Sequence, residues 1–255
     1  LPNGRRIFNV AIRTIQLHGG QAIYGVGGGI TWDSTWESEY REVHQKAAVL
    51  YRKQPRFQLI TTGKISLKKL LFEKQHLERL QKASRYFAFP FDQEVLRQKI
   101  EKEYQSCDIR QDYRIRISLS KSGEIEIERQ VLTPLSSSFC QAKLCQQEAD
   151  LEQAFTYFKT TNRPHLTVGE QEIIYHTADG KLLETSIGNL VLEMNSKLYT
   201  PPSILGILPG IYRQHLLEIG QLEERVLTIE DLKQAEVIYA CNAVRGLYEL
   251  SVREN

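Results

Sequence analysis

An α+β fold spread over more than one unit is what this sequence predicts, and three observations carry it. Tyr113-Arg-Ile-Arg-Ile-Ser-Leu-Ser120 alternates strictly and is followed, across Gly123, by Glu124-Ile-Glu-Ile-Glu128 with the same period, the pattern of a half-buried antiparallel pair. Leu77, Leu80, Ser84 and Phe87 recur at three to four residues, which predicts an amphipathic helix over His76–Ala88. At 255 residues the chain exceeds the usual size of one domain.

In order along the chain, Phe8–Leu17 reads as a strand, His18-Gly-Gly-Gln21 as a turn, and Ala22–Gly25 as its partner. Gly27-Gly28-Gly29 allows the backbone to approach another group closely, and Asp33 or Ser34 is placed to cap a helix over 36–51. Hairpin plus helix is too small for a domain. Arg52-Lys-Gln-Pro-Arg56 reads as a boundary, and Phe57–Thr62 begins a strand that Gly63 separates from a second run through Leu71-Phe72. Asp92 suits the cap of a helix reaching about Gln105, and Ser136–Gln147 reads as an interdomain connection.

The second half changes character. An aromatic run, Phe155-Thr-Tyr-Phe158, ends in Lys159. On a buried strand that lysine would lose solvation and its pKa would fall, which suits an amine that attacks carbonyls and carries protons. Glu172–His176 and Gly180 form a strand and turn before Glu184-Thr-Ser-Ile-Gly-Asn189, and Asn189–Met194 continues as a strand. Pro209 sits at a helix start where Gly210, Ile211 and Tyr212 present free amides, with Gly220 as the stop. Such a helix start seats phosphate.

Composition sets limits. With 33 basic and 31 acidic residues the formal charge is +2, so no whole-chain field points to nucleic acid or an anionic membrane. Cys107, Cys140, Cys145 and Cys241 form no CxxC pair and read as free thiols of a reducing compartment. No run approaches the ~18 apolar residues of a membrane helix and no signal peptide opens the text; the expectation is a cytoplasmic protein. The abrupt start at Leu1 reads as a piece cut from a longer polypeptide.

Lys159, Glu184-Thr-Ser-Ile-Gly-Asn189 and Gly206-Ile-Leu-Pro-Gly-Ile-Tyr-Arg213, in this order and at these distances, resemble the class IV pyridoxal-phosphate enzymes. The resemblance implies a small domain at 57–147, a larger one at 148–255, and pyridoxal 5'-phosphate between them. It implies that Lys159 holds the cofactor and moves protons, that Glu184 lies under the pyridine nitrogen, and that Gly210, Ile211 and Tyr212 receive the phosphate. His76-Leu-Glu-Arg79-Leu resembles the helix motif whose arginine reaches that phosphate, a task suited to a bidentate fork. Glu236–Gly246 resembles the family's last cofactor strand, with Asn242 as a contact. Ala243 stands where relatives often carry a hydroxyl residue and Tyr212 where related aminotransferases often carry a threonine, and Arg163-Pro-His-Leu166 replaces a more aromatic and acidic continuation. A homodimer is the family's common state.

Asn9-Val-Ala-Ile-Arg13-Thr, Gly25-Val-Gly-Gly-Gly-Ile-Thr-Trp-Asp-Ser34 and Glu39-Tyr-Arg-Glu42 with Lys46 resemble the C-terminal end of the chorismate-utilising synthases, specifically component I of aminodeoxychorismate synthase. In an intact synthase domain Glu39 and Glu42 would serve magnesium, and a glutamine amidotransferase would be the partner; 1–53 alone predicts no chorismate amination. The two resemblances together imply a bifunctional synthase-lyase, in which the class IV part is a 4-amino-4-deoxychorismate lyase releasing pyruvate and 4-aminobenzoate. An amino acid aminotransferase and a non-catalytic interaction module are the rival readings. Arg114, Arg116 and Arg245 are candidates for the substrate carboxylates, and the sequence does not choose among them.

Overall fold

The computed structural model describes residues 13–51, 55–137, 140–147 and 153–252. The Phe8–Ile12 part of the expected first strand and residues 52–54 of the expected boundary lie outside the described residues. The chain divides into two compact units, Leu1–Pro55 and Arg56–Asn255.

In the first unit, β1 (Ile15–His18) and β2 (Gln21–Tyr24) pair antiparallel through His18 and Gln21. Gly19 and Gly20 both have positive φ, 55° and 80°, which two-residue hairpins require. α1 (Trp36–Tyr51) buries none of its residues. Its cap is Thr35 rather than Asp33 or Ser34: the Ser38 amide donates to Thr35 Oγ1 at 3.3 Å, and Ser34 Oγ instead donates to Glu39 Oε1 at 2.7 Å.

The second unit starts with an antiparallel sheet in the order β4-β3-β5-β6, built from β3 (Leu59–Ser66), β4 (Lys69–Leu70), β5 (Tyr113–Leu119) and β6 (Ile125–Val131). α2 (Glu73–Phe87) and α3 (Gln93–Ser106) cover it. The alternation in β5 sends Ile115, Ile117 and Leu119 into a core with Leu59, Ile65, Leu77, Leu80, Leu96 and Ile100, each such side chain contributing roughly 1.5 to 3 kcal/mol by leaving water. Asp92 caps α3 as expected, its Oδ1 accepting from the amides of Glu94 and Val95.

Gly63 does not break the chain into two runs, because β3 passes through it with Gly63 opposite Ile115. Its role is close packing: a Cβ there would lie 2.6 Å from His76 Nε2 and 2.8 Å from Leu70 Cδ1. Gly63→Ala is therefore expected to destabilise the second unit by about 1 to 3 kcal/mol, read as a lower urea midpoint with an unchanged slope.

The remaining strands are β7 (Gln141–Gln146), β8 (Ile173–His176), β9 (Leu182–Thr185), β10 (Asn189–Met194), β11 (Lys197–Thr200), β12 (Glu223–Glu224), β13 (Val237–Asn242) and β14 (Gly246–Val252). They run β12-β11-β10-β13-β14-β7-β8-β9, and β9 also pairs with β10, so β10-β13-β14-β7-β8-β9 closes into a ring. Residues 141–146, expected as a connection, are thus a strand. Its sequence hides this because Ala142 alone is buried among its side chains and its partners β14 and β8 are distant in the chain. Among the described residues three α-helices and a 3-10 turn (Ser203–Leu205) accompany these strands: α4 (Gln153–Tyr157), α5 (Ile211–Glu218) and α6 (Ile229–Gln234), the last held by a Thr228–Asp231 capping box.

Candidate active site

Lys159 does not lie on a buried strand. The aromatic run forms the short helix α4, because Phe155 turns inward against Phe57 (5.1 Å between ring centroids) and Phe87 (5.7 Å). Lys159 follows in an extended segment laid against β3: its carbonyl accepts from the Ile60 amide at 2.9 Å, and Leu59 bridges Thr160. The lysine backbone is fixed to one sheet while its side chain faces a cavity bordered by the other.

That cavity measures about 550 Å³. Nine residues singled out in the sequence line it: Arg79, Arg114, Arg116, Lys159, Glu184, Gly210, Ile211, Asn242 and Arg245. Arg79 comes from α2, Arg114 and Arg116 from β5, Glu184 from β9 and Asn242 from β13. Segments some 160 residues apart in sequence therefore meet on one space. Tyr212 does not line it; its ring packs 6.0 Å from Phe72 and against the Val191–Leu216–Leu222–Cys241 cluster, which leaves its backbone amide as the group near the helix start. Glu39 and Glu42 belong to the first unit, where Glu42 pairs with Lys46 and Glu39 accepts from Ser34. Among the described residues no group of three or more His, Cys, Asp or Glu side chains could hold a metal ion, so the magnesium expectation finds no support.

Two features escaped the sequence reading. Arg163, read there as a departure from pattern, lines the cavity and donates from Nη2 to Glu184 Oε1 at 3.1 Å. Its position four residues after Lys159 was the available signal. Glu172, fully buried, accepts from the Ile187 amide at 3.1 Å and from Tyr248 Oη at 3.2 Å, and so braces the Ser186–Gly188 turn that borders the cavity. Burial raises its pKa against those hydrogen bonds.

Six basic side chains, Arg79, Arg114, Arg116, Lys159, Arg163 and Arg245, face one carboxylate, Glu184. Burial, then Arg79 and Arg163, lower the Lys159 amine to about 7. The amine makes no hydrogen bond or ion pair among the described residues, so in neutral solution much of it is a free base. Burial, then Arg163, lower Arg79 to about 10, yet it stays cationic and donates to the Pro209 carbonyl at 2.7 Å, beside the start of α5. Burial pushes the Glu184 carboxyl up, against the pull of Arg163, the Leu208 amide at 3.2 Å and Lys159.

The rim is organised by smaller contacts. Asn242 Oδ1 accepts from the amides of Val244 and Arg245, both at 2.9 Å, so this side chain shapes the loop that carries Arg245, and the Arg245 guanidinium donates to the Thr133 carbonyl. Buried Arg213 ties α5 to the Pro201 carbonyl (2.8 Å) and to Glu224. Together the site offers a nucleophilic amine, one buried acid and several fixed cations, a set suited to a multiply anionic ligand with a carbonyl.

Residues 58–251 match the family model of class IV amino-transferases, and the chain belongs to that family. Residues 1–52 match the model of chorismate binding enzymes. Aminodeoxychorismate lyase of Saccharomyces cerevisiae is 26% identical over 205 residues, covering 60% of this chain and 55% of the yeast protein. An uncharacterized protein of Haemophilus influenzae is 39% identical over 69 residues, 27% of this chain and 36% of that protein. The chain thus spans about a third to a half of the length of these two relatives. A hypothetical aminotransferase from Mycobacterium tuberculosis in its PLP-bound form superposes with a TM-score of 0.64 at 17% identity, covering 81% of this chain and 83% of its own, which shows the shared fold. Among the described residues no helix is long and apolar enough to cross a membrane.

Proposed function

We propose that this chain binds pyridoxal 5'-phosphate in the cavity and eliminates pyruvate from 4-amino-4-deoxychorismate to give 4-aminobenzoate. The observation that carries the reading is the charge balance of the cavity, six basic groups around one acid, which suits a phosphate together with a substrate bearing two carboxylates. The yeast relative's name, aminodeoxychorismate lyase, and the chorismate-binding match at 1–52 support the same substrate.

The residues present fit the cofactor. Glu184 Oε1 is occupied by Arg163 and Leu208, which leaves Oε2 to hold a proton on a ring nitrogen. The Lys159 amine is unpaired and desolvated, Arg79 stands at Pro209, and the first amides of α5 lack intrahelical partners. When bound, pyridoxal phosphate supplies an electron sink for a carbanion beside the substrate nitrogen.

Lys159 carries the chemistry of the protein itself. Near neutral pH its free amine takes the proton from the substrate ring carbon that bears nitrogen, and the electron pair left behind ultimately expels enolpyruvate as the ring becomes aromatic. Arg114, Arg116 and Arg245, which line the same cavity, are the groups to hold the two substrate carboxylates. Arg79 and the amides of Ile211 and Tyr212 hold the phosphate; the side chains of Tyr212 and Ala243 add no hydroxyl to it. A homodimer, a magnesium site in an intact synthase domain and a glutamine amidotransferase partner belong to the same reading.

Incubating the purified chain and cofactor with aminodeoxychorismate, and separately with amino-acid and keto-acid pairs, tests the proposal. Equimolar pyruvate and 4-aminobenzoate are expected. Keto-acid-dependent amine transfer without pyruvate would instead make the chain an aminotransferase.

A further inference from the structure

We infer that Arg163 is a positioning residue that keeps Glu184 ionised and turned so that Oε1 is consumed by the protein and Oε2 alone faces the cavity. The inference deepens the proposed function, resting on the reading of Glu184 as the acid beneath the cofactor ring.

The geometry is specific. Glu184 is buried on β9 and its pairing partner across the ring closure is Asn189. Its Oε1 takes two donors, Arg163 Nη2 at 3.1 Å and the Leu208 amide at 3.2 Å; Oε2 has no partner among the described residues. The pair is shielded from water, with side-chain exposures of 14% for Arg163 and 5% for Glu184. A buried carboxylate without a cation takes up a proton, and a protonated Glu184 could not hold a proton on a ring nitrogen.

Arg163 also has an unsatisfied side. Its Nε is buried without a partner, as are both ring nitrogens of His165, so among the described residues Glu184 alone pairs with this guanidinium. Of the other charged groups on the cavity, Lys159 after α4 and Arg79 on α2 act on Glu184 through space, while Arg114 and Arg116 on β5 and Arg245 after β13 line the same space. Among the described residues neither Lys159 nor Arg79 makes a hydrogen bond or ion pair with Glu184, and Lys159 is itself lowered to about 7. Lys159 acts on the Glu184 carboxylate through space and only while protonated, which leaves Arg163 as the carboxylate's one direct ionic partner among the described residues. The same guanidinium also repels the Lys159 ammonium, adding to burial and to Arg79 in favouring the free amine.

The test reads protonation in the cofactor-free full chain. The Glu184 carboxyl is followed by infrared difference spectroscopy, assigned with Glu184→Gln, and the Lys159 amine by the pH dependence of its modification by trinitrobenzenesulfonate, assigned with Lys159→Met. In Arg163→Leu, or in Arg163→Gln if the leucine variant does not fold, the Glu184 midpoint is expected to rise by about 1 to 3 pH units and the Lys159 midpoint to move upward with it. Arg163→Lys, which restores the charge, is expected to bring Glu184 back toward its original midpoint. A folded Arg163→Leu or Arg163→Gln protein whose Glu184 keeps its original midpoint overturns the inference, as does failure of Arg163→Lys to restore it. Full turnover in Glu184→Gln would overturn the underlying reading of Glu184, whatever the spectra of the Arg163 variants.

Discussion

Lys159→Met is expected to abolish turnover and, at the same time, to stabilise the cofactor-free protein below pH 7. Loss of a positioned general acid–base alone costs about 10²- to 10⁴-fold, and under the proposed function this amine also attaches the cofactor. The gain in stability follows from linkage. Burial, then the guanidiniums of Arg79, Arg163 and Arg114, lower the amine from 10.5 to about 7. Between those values the unfolded chain holds a proton that the folded chain has released, so this group's contribution to stability rises as pH climbs from about 7 toward 10.5. Below about 7 the folded state carries a desolvated ammonium and the penalty is complete. Methionine keeps the apolar stem without the charge. Allowing for screening by cavity water, the gain should be about 1 to 3 kcal/mol at acidic pH and fade in alkali. Urea titrations of both proteins on either side of neutrality give the answer. A variant no more stable than wild type at acidic pH would mean the amine is not strained by its surroundings.

The residues that line the cavity were legible for a chemical reason, and parts of the scaffold were not legible at all. Lys159, Glu184 and Gly210-Ile211 sit in short stretches whose residue types the chemistry restricts: an amine, an acid, a glycine before free amides. Nine of the residues singled out meet on one cavity. The small sheet was legible for a different reason, since β5 buries one face and leaves the other half-buried, the condition under which alternation shows in sequence. Closure of the second sheet was not legible. It depends on β14–β7 and β10–β9 pairings that leave no local pattern, and β7 is polar along most of its length. Arg163 was missed for a related reason: what distinguishes it from a surface arginine is the carboxylate 21 residues away that folding brings to 3.1 Å. Gly63 was misread because a glycine needed for space looks the same in sequence as a glycine needed for a turn.

Gly210→Ala should damage the site through Asn189 and the start of α5 while leaving the identities of the catalytic amine, the acid and the arginines untouched. A Cβ at 210 would stand 2.0 Å from Asn189 Oδ1, far inside contact. Asn189 is ill placed to yield, being buried on β10 with its Nδ2 donating to the Leu208 carbonyl at 2.8 Å. If Asn189 swings away, Leu208 loses that donor, and the Leu208 amide is one of the two groups fixing Glu184 Oε1. If Gly210 moves instead, the first turn of α5 shifts and its free amides leave the place where a phosphate would sit. Either way the cost is about 1 to 3 kcal/mol, the range for leaving one buried polar group unpaired. The expected result is a modest loss of stability without cofactor and a larger loss of pyridoxal phosphate affinity, about 10-fold or more for each ~1.4 kcal/mol transferred to binding. Inorganic phosphate offers a second readout free of catalysis: protection of the wild-type fold by millimolar phosphate should be reduced in Gly210→Ala. Equal phosphate protection in the two proteins would show that the α5 amides do not form the anion seat.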